Sequence, residues 1–291
     1  MANATAGGGA TILVTGATGT VGRQLVNELV TAGADVRALS RTPERAGLPS
    51  GVEVVAGDLG RPETLPSALQ GIERVFLLSG GPEGPEHDAN LIAAGEQAGV
   101  RHVVTLSVLG AGHGADDPIT RWHLAGERAV TASGMAWTIL RPGAFMSNAL
   151  MWAPSIKDQG VVYAPFAQAK TGAVDPADIA AVAARALTGA GQGGKTYPLT
   201  GPELLSAADQ VEILGAALGR PLQVVDVPPE RAKAAMVDSG MPAELADAVI
   251  ASMAQDGTDH AMAVLTTVEQ VTGHPARSFA EWADAHLGDF R

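Results

Sequence analysis

The sequence predicts an α/β fold in which a doubly wound parallel sheet is followed by a smaller, mostly helical C-terminal lobe. Three observations predict it. Apolar runs rich in Val, Leu and Ile alternate with helix-like segments from residue 11 to about 152, as strands buried on both faces of a parallel sheet require. The first run, Ile12-Leu13-Val14, breaks into a glycine-rich turn, Thr15 to Gly22, and restarts as the amphipathic stretch Val21, Leu25, Leu29. After Pro154 the pattern changes to longer helices separated by isolated strands.

Strands are expected near 11–15, 35–40, 52–56, 74–79, 102–107 and 136–141, with helices between them. Gly33, Gly71 and Gly99 stand shortly before strands, where a helix ends in a residue of positive φ. Pro62 and Pro66 bracket a short helix or turn. In the second half, helices are expected near 176–189, 206–219, 229–239, 242–255 and 278–286, and strands near 195–199 and 222–227. Gly189 to Gly194 and the Pro228-Pro229 pair punctuate them. The organisation that follows is a disordered tail over 1–10, a nucleotide-binding domain over 11–152, and a lobe over 153–291 packing as a lid on the sheet's open end. The whole chain can also count as one domain.

At 291 residues and 46% hydrophobic composition, the chain buries a sizeable core. Its net charge of −12 argues against nucleic-acid or anionic-membrane partners, which need a positive field. With no cysteine, thiolate metal sites, disulfides and a cysteine nucleophile are excluded. The seven histidines are scattered without ligand spacing, so no metal is expected. The start has no basic segment followed by an apolar core, and no apolar run reaches the length of a membrane span, so a cytoplasmic protein is expected.

A strand that opens through glycines into a helix lets backbone N–H groups approach a pyrophosphate at the positive end of the helix dipole. The expected cradle is Gly16, Thr18, Gly19, Thr20, Val21 and Gly22. The second strand ends in Ser40-Arg41, with Arg45 following, where a carboxylate would select unphosphorylated ribose. Guanidinium groups pair with a 2′-phosphate, so NADP(H) is the expected cofactor. Asp58 is placed to accept the adenine amino group with Leu59 against the ring; a loop cap is the competing reading. Leu78, Ser79 and Gly80 end the fourth strand and suit a floor beneath ribose and nicotinamide, and Ser107 ends the fifth.

Together Thr15-Gly16-Ala17-Thr18-Gly19 to Gly22, Val36 to Arg41, Gly57-Asp58-Leu59, Gly99-Val100, Ser107 and Trp137 to Phe145 resemble the NmrA-like branch of the atypical short-chain dehydrogenase/reductase superfamily. The similarity continues through Val174 to Ala180. It implies an NADP-preferring Rossmann domain, a small C-terminal substrate lobe, and nicotinamide contacts from the Arg141 to Phe145 loop, in particular Pro142, Gly143 and Phe145.

The chain departs from the wider superfamily in one respect. Typical reductases there carry Tyr and, four residues later, Lys on the helix after the fifth strand. Here that segment reads Thr120-Arg121-Trp122-His123-Leu124-Ala125-Gly126-Glu127, and the two tyrosines, Tyr163 and Tyr197, are followed four residues on by Ala167 and Gly201. His123 and Glu127 share a helical face, so His123 is a candidate proton donor and Ser107 a candidate holder of a substrate oxygen. His113 sits in a Gly-rich loop at the carboxyl edge of the sheet, read as a flexible solvated loop or as one that closes over substrate. Phe145, Met146, Met151 and Trp152 are read as pocket lining or core. The function expected is NADPH-dependent hydride transfer to a small planar electron-poor substrate, a quinone, enone or imine. The alternative is a non-catalytic NADP(H)-binding redox sensor. A small-molecule partner is expected, with monomer and homodimer both open.

Overall fold

The structure, a computed structural model, describes residues 11–255 and 264–291. The expected tail, residues 1–10, lies outside the described residues. The chain begins with β1 (Ile12–Val14), α1 (Thr20–Thr31), β2 (Val36–Ser40), β3 (Glu53–Ala56), α2 (Leu65–Ala68), β4 (Arg74–Leu77) and α3 (Gly84–Ala98). It continues through β5 (His102–Leu106), α4 (Pro118–Ala132), β6 (Ala136–Pro142), α5 (Ala153–Gln159), β7 (Val161–Ala164), α6 (Pro176–Thr188) and β8 (Lys195–Leu199). It ends with α7 (Ala207–Leu218), β9 (Gln223–Asp226), α8 (Pro229–Asp238), α9 (Ala243–Met253), α10 (Thr267–Thr272) and α11 (Phe279–Ala285).

Seven strands form one sheet in the order β3-β2-β1-β4-β5-β6-β8. β1 to β6 pair in parallel, with Ile12 opposite both Val36 and Arg74. The order reverses between β1 and β4, which opens a crevice at their carboxyl ends, the place where open α/β sheets bind ligands. The expected α/β class and doubly wound sheet are therefore present.

The segment expected as an isolated strand at 195–199 instead closes the far edge of this sheet as β8. The other expected isolated strand, β9, pairs in parallel with β7 in a separate two-stranded sheet. β7, four residues with Tyr163 turned outward, was not among the expected strands.

Two compact units interleave along the chain. The first holds the chain through Ser107, then His123–Leu140 and Ala180–Tyr197; the second holds Val108–Trp122, Arg141–Ile179 and Pro198–Arg291. In the first, Leu13, Leu65, Leu69, Leu77, Leu91 and Val130 form a core that excludes solvent. α1 buries Val21, Leu25, Val26 and Leu29 at the spacing of one helical face. Burying each such side chain contributes about 1.5 to 3 kcal/mol.

The second unit has its own core, built on Phe279, Trp282, Phe290, Leu214, Ile156 and Val162. Trp282 stacks on Phe279 at 5.3 Å and meets the Phe290 ring edge-on at 6.3 Å. The Arg277 guanidinium and backbone N–H both donate to the buried Asp178 carboxylate, at 2.5 and 2.7 Å. Burial raises the Asp178 pKa while Arg277 opposes it. α7 and α11 each begin with a capping box, Ser206 with Asp209 and Ser278 with Glu281.

Candidate active site

In the first unit the glycine turn has the shape its spacing predicts. Gly16 adopts φ of +59°, and a Cβ there would stand 2.6 Å from the Leu78 Cδ2. A Cβ on Gly22 would collide with the Gly16 carbonyl, so the helix start lies directly on the turn. Thr18, Gly19 and Thr20 are exposed while Val21 and Gly22 are buried. The Arg23 N–H donates to the Gly19 carbonyl at 3.0 Å, and the N–H groups of the first helical turn, Thr20 to Gly22, have no carbonyl four residues back within the helix. Those donors, at a helix N-terminus on the switch point, fit a pyrophosphate.

The turn is fastened across the switch point by Thr15. Its hydroxyl donates to the Phe76 and Leu78 carbonyls and accepts the Leu78 N–H at 2.8 Å. The sequence motif includes Thr15 but assigns it no role, although a buried Thr between a strand and the glycines is a usable signal.

Ser40 accepts the Thr42 N–H at 3.1 Å, which bends the chain so that Arg41 and Arg45 stand exposed beyond β2. Neither arginine has an ion-pair partner among the described residues. Arg23, also missed, donates to the Gly47 and Ala46 carbonyls at 2.7 and 3.2 Å and pins the segment after Arg45 to α1. Asp58 accepts the Gly60 N–H on Oδ1 at 3.0 Å, the loop-capping role that competed with adenine binding; its second oxygen has no such bond among those described. Leu59 packs partly on the first unit's core. Ser79 follows Leu78, and a Cβ on Gly80 would meet nothing within 4 Å, so the β4 edge is open to a ligand.

Ser107 is buried, and its hydroxyl donates to Glu127 Oε1 at 2.5 Å; the carboxylate is itself 7% exposed. With its proton given to Glu127, Ser107 keeps lone pairs but no proton for a substrate oxygen. His123 lies half-buried on α4, one turn before Glu127. Beside this helix, Asp88 on α3 is buried with Oδ1 unpartnered, and burial pushes its pKa up to about 6 while Ser79 and His87 pull it down.

The second unit contains a cavity of about 1090 Å³, large enough for a two- or three-ring ligand. Pro142, Gly143 and Phe145 line it, with Met151 and Trp152, whereas Met146 is buried in the core. Phe166, at φ +53°, is the non-glycine residue of positive φ among the described residues, and it also lines the cavity. Such a backbone costs about 1 kcal/mol and persists only where the surroundings over-determine it. The segment around His113, read as a solvated or a substrate-closing loop, forms cavity wall: Asp117 accepts the Thr120 N–H and hydroxyl at 3.0 and 2.6 Å, fixing the start of α4. Among the described residues no cluster of potential metal ligands occurs and no helix is long and apolar enough to cross a membrane.

Residues 16–190 match the family described as NAD(P)H-binding. The chain belongs to this family. It is 43% identical over 282 residues to an NAD(P)H azoreductase of Xenophilus azovorans, covering 96% of this chain and 99% of that one. It is equally 43% identical over 281 residues to a (4-alkanoyl-5-oxo-2,5-dihydrofuran-3-yl)methyl phosphate reductase of Streptomyces griseus, covering 96% and 99%. Among solved structures it is similar to an NADPH-dependent quinone oxidoreductase of Escherichia coli complexed with NADPH, with TM-score 0.83, 28% identity, and 95% and 99% coverage. The expected resemblance is thereby borne out, and the chain is an NAD(P)H-dependent oxidoreductase.

Proposed function

We propose that the protein transfers hydride from NADPH to a planar electron-poor acceptor, a quinone, enone, imine or azo compound, bound in the second unit's cavity. The observation that carries this is the 1090 Å³ cavity walled by Phe145, Trp152 and Phe166, since a redox sensor needs a cofactor site and no second, aromatic-lined one. Similarity to an azoreductase and a quinone oxidoreductase supports the same class of acceptor. The reading carries with it a small-molecule partner and a cytoplasmic setting.

NADPH supplies the hydride. Gly16 to Gly22 present backbone donors to its pyrophosphate, Arg41 and Arg45 pair with its 2′-phosphate, and Leu78 to Gly80 leave room along the β4 edge. Pro142, Gly143 and Phe145 continue β6 into the cavity wall, where they position the acceptor. Glu127 holds the Ser107 hydroxyl in one orientation, and His123, one turn before it on the same helix, is the candidate proton donor. Quinones and azo compounds are readily protonated by water once reduced, so the absent Tyr and Lys do not prevent turnover.

The test is NADPH oxidation, read at about 340 nm, against a panel of quinones, azo dyes, enones, imines and aldehydes. Turnover with a planar member is expected. NADPH binding without oxidation by any member would favour the sensor reading.

A further inference from the structure

One basic side chain stands out in the second unit's cavity. Arg231, in the first turn of α8, lines it, and its guanidinium lies 5.9 Å from the centroid of the Tyr163 ring, a second lining residue. The two are held by different elements of one small sheet. Tyr163 is on β7, directly opposite Val225 of β9, and its hydroxyl bonds Gln159 Oε1 at 3.0 Å; α8 follows β9 at once. The ring face therefore fixes where the cation sits, as an arginine stacked on an aromatic is held by quadrupole attraction rather than by a carboxylate.

Two acids of the cavity wall and the lysine of α8 have partners of their own. Asp116 takes the Arg121 guanidinium at 2.6 Å, Asp117 caps Thr120, and Lys233 on α8 pairs with Asp247 at 2.5 Å. Arg231 has no ion-pair partner among the described residues, in a chain of net charge −12 where acidic partners are abundant. A solvated guanidinium with five donors, held on the wall of an apolar, aromatic cavity, is a receptor for an anion carried by an apolar body.

We propose that Arg231, seated on Tyr163, is an anion subsite, so that the cavity selects flat aromatic or unsaturated ligands bearing a sulfonate, carboxylate or phosphate at one end. This rests on the reading of the cavity as the acceptor site and adds the chemical class of acceptor. The aromatic wall takes the body by area burial and is indifferent to charge. Arg231 supplies the discrimination between a charged ligand and its neutral isostere, a charge-assisted hydrogen bond at a partly exposed site being worth about tenfold to a hundredfold in affinity.

The experiment compares naphthalene-2-sulfonate with neutral naphthalene-2-sulfonamide, by calorimetric titration of the full chain saturated with NADPH and as inhibitors of menadione reduction. The expected result is sulfonate binding at least tenfold more tightly. Arg231→Gln should abolish that preference while leaving the sulfonamide affinity within about twofold, and Arg231→Lys should keep part of it. Equal binding of the two ligands by the unaltered protein, binding of neither, or a preference that survives Arg231→Gln would each overturn the proposal. If the sulfonate preference follows Arg231 but menadione and the other acceptors are never reduced, the subsite stands and the reductase reading fails.

Discussion

On the proposed reading, the two units recognise their ligands with different parts of the chain. In the first, the cradle is made by backbone: Gly16 and Gly22 are required because a Cβ would strike Leu78 or the Gly16 carbonyl, and the donors are main-chain N–H groups. In the second, the cavity is made by side chains drawn from segments more than a hundred residues apart, from Val108 to Gln255. Backbone recognition is written as glycine spacing and is common to a whole family. Side-chain recognition is written residue by residue and is where relatives of one fold diverge in substrate.

The largest effect should come from breaking the cradle itself. Gly22→Ala places a methyl against the Gly16 carbonyl, and the folded protein should lose about 3 kcal/mol or more, seen as a lowered melting temperature without cofactor. At Gly19 a Cβ would stand 3.2 Å from the Gly16 oxygen, a strain the turn can absorb. Gly19→Val should therefore keep the apo fold and lose the thermal shift that NADPH gives. A Gly19→Val protein still stabilised by NADPH would displace the cradle from this turn.

Asp88 tests whether the first unit's interior is as closed as its packing indicates. Its pKa rises from 3.8 to about 6, so the folded state holds a proton that the unfolded chain has released. Stability is then full below pH 3.8 and falls as pH rises through about 6, by about 3 kcal/mol in all. Asp88→Asn should be more stable than the parent at pH 7.5 and indistinguishable from it near pH 4, by urea unfolding at several pH values. A pH-independent difference would mean that the carboxylate is solvated.

Next in size is the cofactor's phosphate. Arg41→Ala should weaken NADPH binding by one to two orders of magnitude, the value of about 1.5 to 3 kcal/mol for a hydrogen bond to a charged group, and leave NADH binding unchanged. Calorimetry reads both. Equal losses for the two nucleotides would place Arg41 away from the 2′-phosphate.

Every strand and helix expected with stated ends appears within two residues of them, because long buried runs such as His102–Leu106 and faces such as Val21, Leu25 and Leu29 repeat with the element's own period. β7, α5 and α10, of four, seven and six residues, were not expected, whereas β9 and α11, of four and seven, were marked by the Pro228-Pro229 pair after β9 and the Ser278 cap with Glu281 at the start of α11. In the candidate sites, the glycines and the β2 arginines were legible because they adjoin a strand end. Thr15 and Arg23 act through backbone carbonyls of Leu78 and Gly47 that only the folded chain brings near. Glu127 was visible as a neighbour of His123 on α4, yet its bond to Ser107, twenty residues earlier, depends on packing.

The central claim is that the cradle holds the cofactor and the side-chain cavity holds the acceptor. Its most direct test is steady-state NADPH oxidation by a quinone for Arg41→Ala, Trp152→Ala and the double variant, each with both concentrations varied. Arg41→Ala should raise the NADPH KM alone, Trp152→Ala the quinone KM alone by about tenfold, and the double variant should show the two losses added within about 0.5 kcal/mol. A Trp152→Ala protein that loses NADPH affinity as severely as Arg41→Ala, with its quinone KM unchanged, would contradict it.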